Sequence, residues 1–421
     1  MALIYKFGGA SVKDADSIKN IVNILNSCDE NLIIVVSAMD KMTRALHHIA
    51  DLYFSGKKTD LEFKQIVKFH QNIINQLFGE KNTDTLHKFN EISLGLFVRM
   101  GKEPSLVFDY DYDQIVPFGE LFSAFIISEY LKHKGVDNSL LDIRKLLKTD
   151  STFRDAKIDW EKSESLVNSA LNFDENRIYI TQGFIASNEK NQMTTLGLEG
   201  SDFTAAALAF IVNAEHVVVW KDVEGVYNTD PKEAEEVTKL DAISYQEAVE
   251  LAYYGAKVIH PKTIKPLQNK NIPLYVKSFL MPGSEGTVIA NSTPNKTGVL
   301  PDVPVFITKN NQILISIAPN DFSFIAEDNL GHIFYILAKN RVKVNLMQNS
   351  AISFSICVDY QSERILEVIK ELRKNYKVLY NEGLTLITVR HYDDATISKV
   401  TQDKKVLVQQ KSRHTARFVV Q

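Results

Sequence analysis

Cysteine is scarce in this chain: among 421 residues there are two, Cys28 and Cys357. So wide a separation fits no zinc spacing, and both are expected as reduced core or near-surface thiols in a cytoplasmic protein. Basic charge is not in excess either, since 48 lysines and arginines face 52 acids for a formal net charge of −4. A nucleic-acid partner would call for a basic domain or stripe, so none is expected. No apolar run approaches the ~20 residues of a membrane-spanning helix, so no membrane partner is expected. The opening Met1-Ala2-Leu3-Ile4 lacks the basic n-region of a secretory signal. Missing, too, is the G-x-x-x-x-G-K-[ST] spacing of a Walker loop. What is present is ordinary globular composition, 45% hydrophobic and 24% charged. The length exceeds the usual size of one core, so two or three domains are expected.

The densest chemistry lies in Thr194-Thr195-Leu196-Gly197-Leu198-Glu199-Gly200-Ser201-Asp202-Phe203-Thr204-Ala205-Ala206. Small residues let backbone amides approach an anion. Ser201 and Thr204 add hydroxyls, Asp202 adds a carboxylate, and residues 205–211 read as an opening helix. A helix N-terminus preceded by glycines is a natural anion site, although alone such a loop is equally a turn with an N-cap. Its partners decide between these. Near the amino terminus a short apolar strand ends in Lys6, followed by Phe7-Gly8-Gly9-Ala10-Ser11; Ile18, Ile21, Val22 and Leu25 then mark one helix face. Glycines expose N–H groups and Lys6 sets a point charge beside them, which is phosphate-handling architecture.

A second strand, 32–36, leads into Ser37-Ala38-Met39-Asp40-Lys41-Met42-Thr43. Its hydroxyls fall beyond a strand's carboxyl end, where open α/β sheets bind ligands. Pro117-Phe118-Gly119-Glu120 opens a helix. A β-branched strand, 217–220, precedes Lys221-Asp222-Val223-Glu224-Gly225-Val226-Tyr227-Asn228-Thr229-Asp230-Pro231-Lys232, and further on comes Tyr254-Gly255-Ala256-Lys257-Val258-Ile259-His260-Pro261-Lys262. Both segments set lysines and an aromatic beside glycine turns, which suits a nucleotide's phosphates and base.

Taken together, and in this order, these motifs resemble the aspartate kinases of the amino-acid kinase superfamily over almost the whole chain. The resemblance implies phosphorylation of the L-aspartate side-chain carboxylate by MgATP, giving 4-phospho-L-aspartate, the first step towards lysine, threonine and methionine. By position, Lys6 matches the lysine that stabilises the transferred phosphoryl group, and Asp202 the acid near the metal and phosphates. Ser37, Thr43 and Glu120 match groups that hold the amino acid, with Glu120 taking its ammonium. The ATP-binding set is Lys6, Gly8, Gly9, Ser11, Ser201, Lys221, Asp222, Tyr227, Lys232, Lys257 and Val258. The cofactors are ATP and Mg2+, the ion entering with ATP near Asp202 without a directly assigned protein ligand. A carboxylate is already a nucleophile at neutral pH, so positioning and cationic stabilisation are the task. Lys6 and Asp202 fall at turns in the pattern, so removing either is expected to cost turnover with little loss of folding.

The fold expected is α/β, a mainly parallel sheet flanked by helices over residues 1–290. A ferredoxin-like ACT unit over 305–380 and a shortened second ACT-like segment over 381–421 should follow. The β-α-β-β-α-β pattern over 313–389 carries the first; the tail is too short for a second full unit, and its strands should pair within the chain or with another subunit. ACT units of this family sense small molecules and dimerise through sheet edges, so a homodimer or higher oligomer is implied. An effector would meet Asn345, Asn349 and Ser350. Where lysine-sensitive relatives carry acids this chain has Asn345 and Ala351, so lysine feedback should be weak, altered or absent. Residues 44–100 read as helical, with His47, His48, His70 and His87 as packing or surface groups, and 108–113 as a solvated aromatic–acidic loop.

Two departures stand out. Ala10 replaces the family's usual hydroxyl residue. Leu198 stands where most relatives carry an arginine, which clamps a substrate carboxylate through two hydrogen bonds; Glu199 would repel aspartate. Another cation, another substrate or a weak enzyme would answer this; an unusually high KM for aspartate is expected, with ATP binding retained and a gain in aspartate affinity for Leu198→Arg. Three readings result: an aspartate kinase, a kinase for glutamate, acetylglutamate, carbamate or UMP, or a weakly active homologue acting as a regulatory subunit. The ACT-like region and the amino-terminal motif favour aspartate.

Overall fold

The computed structural model describes all residues except 80, 81, 232, 233, 235, 257, 258, 294, 295, 298–302 and 322. It divides into two compact units, one of residues 1–226, 239–249 and 257–300, the other of 227–238, 250–256 and 301–421.

In the first unit the β-branched runs become one eight-stranded sheet: Ala2–Phe7 (β1), Asn31–Val36 (β2), Ser139–Leu141 (β3), Ile178–Gln182 (β4), Val217–Lys221 (β5), Ala242–Ile243 (β6), Leu274–Ser278 (β7) and Thr287–Ile289 (β8). The order is β6-β8-β7-β5-β1-β2-β4-β3. Every pair is parallel except β7–β8. Leu32 to Val36 are buried throughout, because helices cover both faces and a parallel strand then needs no polar side. The chain leaves β1 towards β2 on one side and returns to β5 on the other, so β1 marks the topological switch point, where ligands bind beyond strand carboxyl ends.

Four helices matter to the site: Ala15–Leu25 (α1), Phe108–Ile115 (α2), Phe118–His133 (α3) and Gly200–Val212 (α4). Asp14 caps α1 by accepting from the Ser17 N–H at 2.8 Å. Helix α4 is apolar almost all round and packs against β1, β2 and β5.

Helix α2 corrects the expected solvated loop, since Asp111, Tyr112 and Asp113 are buried. Each buried acid has a partner that local sequence does not reveal: Asp111 pairs with Arg99 and accepts from the Ser105 N–H at 2.8 Å, and Asp113 accepts from Thr195. Among the four histidines, His70 is fully buried and burial pushes its ring down to about 4. No helix among the described residues is long and apolar enough to cross a membrane.

The second unit holds an antiparallel six-stranded sheet: Val305–Pro319 (β9), Val344–Asn349 (β10), Phe354–Asp359 (β11), Tyr376–Arg390 (β12), Val406–Lys411 (β13) and Thr415–Val420 (β14), ordered β10-β11-β9-β12-β14-β13. Helices Glu327–Lys339 (α5) and Ser362–Leu372 (α6) cover a core that includes Ile313, Ile315, Ile356 and Val368. The single helix Asp394–Thr401 (α7) lies over Val389 and Phe418. Strand β12 runs unbroken through positions 380 and 381, and β9 follows it with register shifts between Lys309 and Leu314. The tail strands pair within the chain, β14 against both β12 and β13.

Candidate active site

A cavity of about 650 Å³ opens at the carboxyl ends of β1, β2 and β5 and over the start of α4. Of the residues singled out in the sequence, Lys6, Gly8, Gly9, Ser11, Ser37, Thr43, Glu120, Ser201, Asp202, Lys221 and Asp222 line it. Tyr227 belongs to the second unit, and Lys232, Lys257 and Val258 lie outside the described residues.

Close backbone approach builds this cavity. The Asp40 N–H donates to the Gly9 carbonyl at 3.2 Å, and the Ser11 hydroxyl donates to the Trp220 carbonyl at 3.1 Å, tying the turn after β1 to both neighbouring strand ends. A Cβ on Gly183 would lie 2.6 Å from that of Ser201, so only glycine lets the first turn of α4 sit against the end of β4. Gly197, at φ +80°, turns the preceding loop in the left-handed region. Thr204 then locks the turn, accepting from the Phe184 N–H and donating to the Gly200 carbonyl, both at 2.9 Å.

Lys6 and Asp202 do not fall at turns away from the core as expected: Lys6 lies in β1 and Asp202 in the first turn of α4. They are 8% and 4% exposed, and Lys6 Nζ lies 2.6 Å from Asp202 Oδ1. Burial pushes the Asp202 carboxyl up, but the charges of Lys6 and Lys221 with the Lys6 hydrogen bond outweigh it and hold the group below its ordinary value. Two charges taken from water together depend on each other, so the expectation of little loss of folding is withdrawn.

Glu120, 2% exposed, accepts from the Ala38 N–H at 3.3 Å through Oε1, while Oε2 has no hydrogen-bond partner among the described residues. Burial pushes its carboxyl up to about 8, against the Ala38 N–H, its own backbone and the Lys6 ammonium. An orphaned buried acceptor in a cavity wall is a demand for a cationic donor.

Sequence reasoning gave no site role to Tyr112, Arg154, Phe184 or Thr195, which also line the cavity. Asp109, Tyr112 and Asp113 stand at i, i+3 and i+4, one face of a helix; that spacing was the available signal. Asp113 accepts from the Thr195 N–H and hydroxyl at 2.8 Å each and from the Arg154 N–H at 3.0 Å. In the second unit, Asn345 is buried and bonded to Lys309, Gln312 and Asp359, whereas Asn349 and Ser350 are exposed at the end of β10.

A mainly parallel sheet with a glycine turn after β1 and a helix start facing it is the arrangement of an α/β small-molecule kinase, and residues 1–278 match the model of the amino acid kinase family. The chain belongs to that family, and within it to the aspartokinases. It is 30% identical to lysine-sensitive aspartokinase 3 of Escherichia coli over 92% of this chain and 86% of that one. It is 29% identical to a bifunctional aspartokinase/homoserine dehydrogenase of Arabidopsis thaliana, of whose length it covers 42%. Among solved structures, Escherichia coli aspartokinase III in complex with aspartate and ADP aligns with a TM-score of 0.82 at 27% identity, over all of this chain and 96% of that one. Clostridium acetobutylicum aspartate kinase, at 20% identity and TM-score 0.78, shares the fold.

Proposed function

We propose that this chain transfers the γ-phosphoryl group of ATP to the side-chain carboxylate of L-aspartate, giving 4-phospho-L-aspartate and ADP and opening the route to lysine, threonine and methionine. The observation that carries this reading is the buried, unpaired Oε2 of Glu120 in the cavity that also holds Lys6 and Lys221. An amino acid's ammonium meets that need. Acetylglutamate, carbamate and UMP bring no ammonium and would leave Glu120 orphaned. A purely regulatory role gives no reason to keep Lys6 and Asp202 paired in the same wall.

The chemistry follows from charge. The aspartate carboxylate oxygen attacks the γ-phosphorus in line, one P–O bond forms as the bond to the ADP oxygen breaks, and no proton moves. Repulsion between two anions is the barrier. Lys6, Lys221 and the amides at the start of α4 offset it, held in place before substrate arrives. Ser37 and Thr43 position the amino acid, and Gly8, Gly9, Ser11, Ser201 and Asp222 the nucleotide. Among the described residues no group of three or more metal-ligating side chains occurs. Mg2+ would enter with ATP, held mainly by phosphates and water with Asp202 beside it, where it would neutralise phosphate charge.

In this reading residues 1–290 are catalytic, and 305–380 with 381–421 form a regulatory region through which a homodimer or higher oligomer assembles. The enzyme works in the cytoplasm.

An ADP-coupled hydroxamate assay across aspartate, glutamate and acetylglutamate tests the proposal. Aspartyl hydroxamate should form fastest; none above background, or faster turnover of another acceptor, refutes it.

A further inference from the structure

The cation that Leu198 cannot supply is present elsewhere in the same cavity. Leu198 is 76% exposed at the cavity wall. Its neighbour Glu199 is already engaged, with Oε2 accepting from the His260 N–H at 2.8 Å. The cations among the described lining residues are Lys6, Lys221 and Arg154. The first two both act on Asp202, which leaves Arg154 as the cation away from that carboxylate.

Arg154 is held there at a conformational cost. Its φ is +68°, in the left-handed region that long side chains seldom adopt. Its N–H is fastened by the buried Asp113, the same carboxylate that fixes Thr195 ahead of the Gly197 turn. Its guanidinium carbon sits 4.5 Å from the centre of the Tyr112 ring, and Nη1 donates to Asp109 Oδ1 at 3.1 Å. Among the described residues its Nε and Nη2 make no hydrogen bond. The Tyr112 ring that carries the Arg154 guanidinium lines the same cavity as Glu120. Strain over-determined by its surroundings is characteristic of a functional position, and a planar donor fork stacked on an aromatic suits a carboxylate.

We propose that Arg154 binds the α-carboxylate of the amino-acid substrate, opposite the ammonium site at Glu120, and so replaces the arginine that position 198 lacks. The zwitterionic head is gripped between opposite charges, and the side-chain carboxylate is left towards Lys6. This rests on the aspartate kinase reading above.

The full-length protein tests it through the aspartate KM, the ATP KM and the preference for L-aspartate over its α-amide, whose head carries no α-carboxylate. Arg154→Gly removes the fork and relieves the positive φ, so its thermal midpoint should equal or exceed that of the natural protein. Its aspartate KM should rise about 30- to 1,000-fold, its ATP KM should stay within about twofold, and its preference over the α-amide should vanish. Arg154→Lys, which keeps the charge without the fork, should raise the aspartate KM at least about fivefold and decides the matter if the glycine variant is unstable. An aspartate KM within about twofold of the natural value in both variants, or a retained preference over the α-amide, overturns the assignment of Arg154. Absence of aspartyl phosphate from the natural protein would instead overturn the aspartate kinase reading and this inference with it.

Discussion

Glu120 should make aspartate binding pH-dependent. Its folded carboxyl is raised from 4.5 to about 8, chiefly by burial. At pH 7 the free protein therefore holds Glu120 mostly protonated, and the ammonium of aspartate requires the ionised form. With affinity reduced by the competent fraction, binding should be about elevenfold weaker at pH 7 and about twofold weaker at pH 8 than well above the folded value. The sign for stability runs the other way. A raised folded pKa stabilises fully below 4.5 and loses that contribution as pH rises through about 8, by at most about 5 kcal/mol. Aspartate should restore part of it. Calorimetry of aspartate binding with ADP present, in two buffers of different ionisation enthalpy, reads the affinity and the protons exchanged. About 0.9 proton should be released per aspartate at pH 7, and Glu120→Gln should bind weakly with no pH dependence. Affinity that stays flat between pH 6 and 8.5, without proton release, would refute the assignment of Glu120 to the ammonium.

Lys6→Ala and Asp202→Ala should each lower kcat about 10²–10³-fold. Each should also lose stability, by at most about 3–5 kcal/mol, by breaking a buried ion pair, the loss in Lys6→Ala being limited by Lys221, which still acts on Asp202; in urea melts the Lys6→Met/Asp202→Leu double variant should recover stability without activity, and a double variant as unstable as the singles contradicts the pairing argument. Gly183→Ala should cost about 1–3 kcal/mol and most turnover, because its Cβ displaces Ser201; full activity would show that α4 can shift freely. L-lysine should show no micromolar heat of binding, since Asn345 is neutral and engaged with Lys309, Gln312 and Asp359; a micromolar titration would overturn that.

The catalytic half was legible where local chemistry dictates local structure. Buried parallel strands are continuous apolar runs, and the glycine turns that follow them mark where backbone approaches ligand, so β1, β2, β5 and α4 could be read directly. What escaped depends on partners distant in the chain. Asp111 and Asp113 look like solvated acids until Arg99, Thr195 and Arg154 fold onto them. Lys6 and Asp202 look like turn residues until each neutralises the other. In the tail, the run through 376–390 is one strand because β9 turns with it, a tertiary fact invisible in the turn residues of either.

Leu198 and Arg154 bear on one another in a way that a double-mutant cycle measures. If one carboxylate is to be clamped, a cation at either position suffices, and a second adds little because it must share the same two oxygens. Leu198→Arg in the natural protein should then improve the aspartate KM by less than about threefold, while the same change in Arg154→Gly should recover at least about 30-fold, a coupling of about 1.4 kcal/mol or more. Independent sites would give equal gains in both backgrounds. Equal gains would mean that the two positions do not share one carboxylate, and would remove Arg154 from the role assigned to it.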